Sequence, residues 1–173
     1  MPADKISIER IKTLHPKIRQ EVLQIYNHIN ENLLGKGVRL RFAYTYRTPE
    51  EQHKLFLQRP RVTRADSYLS VHQYGLALDF VLLYDLNEDG TFETASWDMK
   101  KDFDKDKEAD WMEVVNYFKV KGWEAGIDWK SFPDAPHLQK TFGLTVKQMK
   151  SKLDAGHFTT EDINGQKIKY INL

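Results

Sequence analysis

The sequence predicts an α+β fold: a single domain with a small antiparallel sheet and helices packed against it. Three patterns carry that expectation. Apolar residues recur every three or four positions in the first third of the chain, and a stretch that alternates apolar and polar residues follows. Beyond that point, helical and extended segments mix without the regular alternation of a parallel sheet. A chain of 173 residues suits one sizeable core, so residues 1–173 are expected to fold as one unit. No internal repeat, low-complexity tract or Gly/Ser linker divides it.

Ile18, Val22, Ile25, Ile29 and Leu33 draw one apolar stripe along a helix, with Pro16 near its start and Gly35 just past its end. From Val38 to Arg47, Leu40, Phe42 and Tyr44 alternate with Arg39, Arg41 and Ala43, which reads as a strand. Thr48, Pro49 and Glu51 then open a helix as N-cap, first-turn proline and capping-box acid. Arg47 therefore stands where a strand ends and a helix begins, a junction that often presents side chains into a cleft. RPRVTRADSYLSVHQYG has no clean period and reads as a loop, and LALDFVLLYDL is the expected central strand.

NEDGTFETASWD is a turn-rich connection. A helix is expected from about Lys105 to Lys121, with Ala109, Met112, Val115 and Phe118 on one face and Gly122 closing it. WEAGIDWKSFPDAPHLQ is irregular and aromatic; Trp123, Trp129 and Phe132 are expected in the core, with Trp129 alternatively walling a cleft. Thr145 caps a short last helix that Gly156 stops, and IKYINL is a closing strand.

Composition excludes several functions. The net charge is +1, with Lys and Arg interleaved among acids, so no basic patch recruits nucleic acid. There is no cysteine, which removes disulfides and thiolate metal sites and leaves His and carboxylates as the available metal ligands. No run approaches the roughly 20 apolar residues of a membrane helix. MPADKISIERIKTLH lacks the apolar segment of a signal peptide, so the chain is expected in the cytoplasm as synthesised, reaching any site outside with help or through a leader absent from this sequence; a monomer is expected.

The chemistry concentrates in two stretches. SVHQYGLALDF sets His72 before an apolar run and Asp79 within it, and an ionised carboxylate there needs a positive partner. Read alone, the pair reads first as a loop histidine and a core aspartate held by backbone amides. DAPHLQ adds Asp134 and His137, stiffened by Pro133 and Pro136. Two His and one carboxylate would leave zinc an open position for water, and a further carboxylate could act as general base; alone, the segment also reads as a surface loop. Arg47 supplies a fixed positive charge for a developing oxyanion, or a surface ion pair with Glu50 or Glu51.

Taken in order, these stretches resemble the zinc D-Ala-D-Ala and L-Ala-D-Glu peptidases, a family that includes VanX- and VanY-type enzymes and phage endolysins. SVHQYGLALDF is similar to its S-x-H-x-x-G-x-A-x-D pattern, YRTPEEQHKLF to its Y-R-[ST]-x-x-E-Q segment, and GIDWKSFPDAPHLQ to its D-W-x-x-F-x-D-x-x-H-x-Q segment. The resemblance runs from Tyr46 to Gln139 and implies a cleft over the sheet with zinc held by His72, Asp79 and His137. It implies Asp134 as the base, Arg47 as the oxyanion partner and Ser70 near the bound peptide, with Trp129 a candidate cleft wall. Van-type members carry Glu where Asp134 stands, whereas endopeptidase-like members carry Asp. This favours an L-Ala-D-Glu endopeptidase of peptidoglycan stem peptides over a D-Ala-D-Ala carboxypeptidase or dipeptidase, or a non-catalytic muropeptide-binding module. Leu138 stands where Phe is frequent.

Two minor expectations complete the reading. DLNEDG matches the first half of a calcium loop through Asp85, Asn87 and Asp89, although Ser96 stands at the twelfth place and a tight turn explains the motif too. His15, His28, His53 and His157 are expected to be solvent-facing or satisfied locally, and Asp128 is a candidate partner for a ligand histidine or a turn residue.

Overall fold

The computed structural model describes residues 4–173. Helix α1 (Lys5–Lys12) begins where the Asp4 carboxylate accepts the Ser7 amide at 3.1 Å. Helix α2 (Pro16–His28) buries Ile18, Val22 and Ile25, as its stripe predicts. The stripe's last turn, Ile29–Leu33, widens to a π-helix. Asn30 sits in that turn, donating its amide to the Tyr26 carbonyl and accepting the Leu40 amide, both at 2.9 Å. The side chain thus bridges the helix and the next strand.

Strand β1 (Val38–Tyr44) stops three residues short of Arg47, after an irregular register between Phe42 and Tyr44. Helix α3 (Pro49–Leu57) has the full Thr48–Glu51 capping box, with Glu51 Oε2 accepting the Thr48 amide at 2.8 Å and Thr48 Oγ1 accepting the Glu51 amide at 3.1 Å. Removing that hydroxyl should cost about 1 kcal/mol. Urea unfolding of Thr48→Ala, with an unchanged slope and a lower midpoint, checks it.

Strand β2 (Ala77–Tyr84) is central. It pairs antiparallel with β1, with β3 (Thr94–Ser96) and with β5 (His137–Gln139), and β5 pairs with β4 (Glu124–Ala125). Leu78, Phe80, Leu82 and Tyr84 enter the core, so by strand alternation Asp79 points to the opposite face. Helix α4 (Asp110–Val120) covers the core side: Trp111 lies 4.2 Å from the Phe80 ring and Phe118 packs edge-on to Phe42 and Trp123.

Several expectations need correction. The helix expected from Lys105 begins at Asp110. Upstream, Lys105 and Lys107 take positive φ (64° and 85°), and carboxylates of Asp102, Asp104 and Asp106 accept backbone amides that a helix would have used. The closing strand is half of a hairpin: after α5 (Val146–Asp154), β6 (Phe158–Ile163) pairs with β7 (Gln166–Ile171) as a separate two-stranded sheet. Its turn is Asn164-Gly165, both at positive φ, as a tight hairpin requires. Trp123 is in the core, but Phe132 is 44% exposed with Arg64 over its ring, because the irregular segment that carries it runs along the surface.

Candidate metal centre and active-site cleft

The β2–β5 register sets Asp79 directly opposite His137, so residues 58 apart in sequence become cross-strand neighbours. The Phe80 amide donates to the Pro136 carbonyl at 3.1 Å and pins the approach to β5. His72 arrives from a short 3-10 turn, Val71–Tyr74, that ends at Gly75 with φ 67°. A Cβ at Gly75 would come within 2.7 Å of the His15 backbone nitrogen and 3.2 Å of the Tyr170 ring, so both the turn and its close packing need glycine here.

His72 Nε2 and His137 Nδ1 each stand 3.2 Å from Asp79 Oδ1, and the three groups offer ligand atoms within 4.8 Å of one another. What lies behind each ring decides which nitrogen faces the centre. His72 Nδ1 is 2.7 Å from the Thr45 carbonyl, which only accepts, so Nδ1 carries hydrogen and Nε2 turns inward. For His137 the roles reverse. Gln139 Nε2 donates to Glu124 at 3.0 Å, which turns its Oε1 to His137 Nε2 at 3.0 Å and leaves Nδ1 inward. Asp128, by sequence a candidate partner or a turn residue, closes the short turn Gly126–Asp128 and pairs with Lys119. Thr45 and Gln139 do that work, and a backbone carbonyl has no sequence signature.

Burial works against charge on Asp79, but His72 and His137 outweigh it and hold the carboxyl well below the usual range. Burial likewise opposes charge on His137, and the Asp79 carboxylate overcomes it and raises that imidazole. The cluster therefore favours positive charge at its centre. Two imidazoles and a carboxylate suit Zn²⁺, which tolerates such a three-residue set and an open position.

Arg47 does not pair with Glu50 or Glu51. Its Nη2 lies 3.5 Å from Asp79 Oδ2, its Nη1 donates to Gln52 Oε1 at 2.9 Å, and its Nε is buried without a partner. Gln52 is fully buried and its amide donates to the Ala65 carbonyl at 2.6 Å, which turns its oxygen to the guanidinium. The sequence reading gave Gln52 no role, although it sits one turn into the helix that Arg47 precedes. Asp134 faces the same cleft but stands outside the converging three. Burial, then the Asp79 charge, pushes its carboxyl up. Its amide donates to the Gly126 carbonyl at 3.0 Å, and its own carbonyl accepts the His137 amide at 3.2 Å. A Cβ on Gly126 would come within 2.4 Å of that Asp134 carbonyl oxygen.

These groups line a cleft of about 520 Å³, with Ser70 and Trp129 on its walls and the Trp129 ring 5.1 Å from His137. The other histidines lie outside the cluster. His15 caps α2 and meets the Ile171 carbonyl at 2.9 Å, His28 stacks on Tyr117, His53 pairs with Asp66, and His157 is exposed. In the DLNEDG loop, Asp85, Asp89 and Glu93 offer oxygens near one another, but the loop's own bonds use them. Asp85 accepts the Asp89 and Gly90 amides, Asn87 pairs with Asp89, and Glu93 accepts the Thr91 hydroxyl. The motif is explained as a tight turn, and nothing there supports calcium.

Residues 63–140 match the peptidase family described as D-alanyl-D-alanine carboxypeptidase. The chain is 36% identical to the peptidoglycan L-alanyl-D-glutamate endopeptidase CwlK of Bacillus subtilis, over 73% of this chain and 72% of that protein. The crystal structure of the Serratia marcescens L-Ala D-Glu endopeptidase ChiX shares the fold, with TM-score 0.55 and 19% identity over 82% of this chain and 91% of that one. With fold and sequence in agreement, the chain belongs to the family of D-alanyl-D-alanine carboxypeptidases and L-alanyl-D-glutamate endopeptidases.

Proposed function

We propose that residues 1–173 act as a single-domain, monomeric zinc peptidase that hydrolyses the L-Ala–D-Glu bond of peptidoglycan stem peptides in the bacterial cell wall. The convergence of His72 Nε2, Asp79 and His137 Nδ1 in a cleft that also holds Arg47 and Asp134 carries this reading. The relatedness to CwlK supports the choice of bond.

His72, Asp79 and His137 would hold the metal. Bound zinc supplies a Lewis acid and brings the pKa of water to about 7. Ser70 and the Trp129 ring orient the stem peptide along the cleft. Asp134 takes a proton from the attacking water, whose oxygen adds to the L-Ala carbonyl carbon. Arg47 faces the charge that grows on the carbonyl oxygen. When the C–N bond breaks, Asp134 returns the proton to the departing D-Glu amine, so no net proton is consumed.

Gln52 is a positioning residue through Arg47. Gln52→Ala should lower kcat by about tenfold, a modest misplacement, with KM and zinc content little changed; metal analysis beside steady-state kinetics checks it. The function itself is tested by mass spectrometry of products from defined muropeptides, with and without chelator. A new amino-terminal D-Glu, lost on chelation and restored by zinc, is expected. Release of free D-alanine instead would assign the carboxypeptidase reaction. Unchanged muropeptides bound by a zinc-loaded protein would make it a binding module.

A further inference from the structure

We propose that the segment Asp102–Glu113 is a second cation site, a calcium loop built from the carboxylates of Asp102, Asp104, Asp106 and Glu113 at the entrance of α4. The spacing is the first support. Counting Asp102 as position one, acids stand at one, three, five, seven, nine and twelve: Asp102, Asp104, Asp106, Glu108, Asp110 and Glu113. That is the ligand spacing of a twelve-residue calcium loop, including the terminal Glu that DLNEDG lacks. Position six needs a sharp turn, normally through glycine. Here Lys107 makes it at φ 85°, and its amide donates to Asp102 Oδ2 at 3.0 Å, closing the loop over its first ligand.

The side chains converge. Asp104, Asp106 and Glu113 offer oxygens within 4.8 Å of one another, and so do Asp102, Asp104 and Asp110, with Asp104 shared. Asp110 is already engaged by the Tyr84 hydroxyl at 2.8 Å and the Phe103 amide, so it braces the loop.

The independent observation is Glu113. It is only 6% exposed, and its Oε2 is buried with no hydrogen-bond partner; Asp102 Oδ1 is likewise buried and unpartnered. Among the described residues, no Lys or Arg forms an ion pair with Asp102, Asp104, Asp106, Asp110 or Glu113. Burial and the surrounding carboxylates of Asp106, Asp104, Asp110 and Glu108 push the Glu113 carboxyl up to about 8. Without a cation this carboxyl stays mostly protonated at neutral pH, and among the described residues no Lys or Arg pairs with it to change that. A hard dication with oxygen ligands relieves both the burial and the repulsion.

The seat is preformed. Gly35 donates its amide to Asp104 Oδ2 at 2.8 Å, and a Cβ there would come within 2.3 Å of the same oxygen. A Cβ on Gly37 would meet the Phe103 ring at 2.7 Å. The loop is therefore held against the turn that precedes β1, with Asp110 and Glu113 buried, Asp102 and Asp104 half-buried and Asp106 at its exposed rim.

Metal-stripped protein is reloaded with one equivalent of zinc and titrated with CaCl₂ by calorimetry. In parallel, Tb³⁺ is titrated and its luminescence is read through excitation of Tyr84 and Trp111. One calcium per chain is expected, with Kd roughly 10⁻⁷–10⁻⁵ M, together with a rise in Tm. Glu113→Gln should weaken binding at least about 100-fold and abolish both the Tm rise and the luminescence, whereas Asp85→Ala should bind like wild type. In calcium-free buffer Glu113→Gln should melt no lower than wild type, because it removes repulsion; Asp106→Asn, at an exposed position, repeats the test without touching the core. No calcium heat, binding unchanged in both loop variants, or binding lost in Asp85→Ala overturns the proposal. None of these outcomes depends on the peptidase reading.

Discussion

Asp134→Asn is expected to lose hydrolysis of muropeptides by about 10²–10⁴-fold, the range for removing a positioned general base, while binding zinc as wild type does. The side chain lies in the cleft but outside the three converging ligands, so its loss should leave the metal set intact. Asn keeps the size of Asp and the backbone bonds to Gly126 and His137, so the loop should hold its place. It cannot accept a proton from water. Zinc stoichiometry, measured beside kcat, separates this outcome from metal loss. Full activity in the zinc-loaded variant would move the base elsewhere.

Gly126→Ala should be nearly as damaging, by about 10²-fold, through geometry alone. The new methyl would meet the Asp134 carbonyl oxygen at 2.4 Å and the His137 Cβ at 3.1 Å. The first is backbone and cannot swing aside as a flexible side chain would. That carbonyl also accepts the His137 amide, so a shift moves the base and a ligand together. A displacement near 1 Å in a catalytic constellation costs about that factor. Unlike Asp134→Asn, this variant should also bind zinc more weakly, and competition with a metal indicator would show it. Wild-type affinity and rate together would mean that the segment accommodates the methyl elsewhere.

Much of this was legible in the chain. The stripe of α2, the alternation of β1 and the greasy run of β2 announced themselves because one periodic face of each is buried. Of the residues lining the cleft, Arg47, Ser70, His72, Asp79, Trp129, Asp134 and His137 stand in three short sequence motifs. Their assembly was less visible, since the Asp79–His137 register joins distant segments and no local pattern encodes it. The Thr45 carbonyl behind His72 could not be read at all, as any residue type supplies one. Gln52 and Gln139 lay within quoted motifs, and only their partners reveal why an amide stands there. The helix expected from Lys105 follows the apolar spacing of Ala109, Met112, Val115 and Phe118, a period that does not mark where the first turn fails. The left-handed Lys105 and Lys107 delay the helix to Asp110.

The hairpin β6–β7 leans on the opposite end of the chain. The Tyr170 hydroxyl donates to the Thr13 carbonyl at 2.9 Å, its ring packs edge-on to His15, and His15 in turn meets the Ile171 carbonyl. Gly75, the hinge that delivers His72, is wedged against His15 and Tyr170. Anyone grafting a wall-anchoring module onto the carboxyl terminus should therefore leave Tyr170 seated, because prying up that last ribbon would unsettle the histidine at the heart of the cleft.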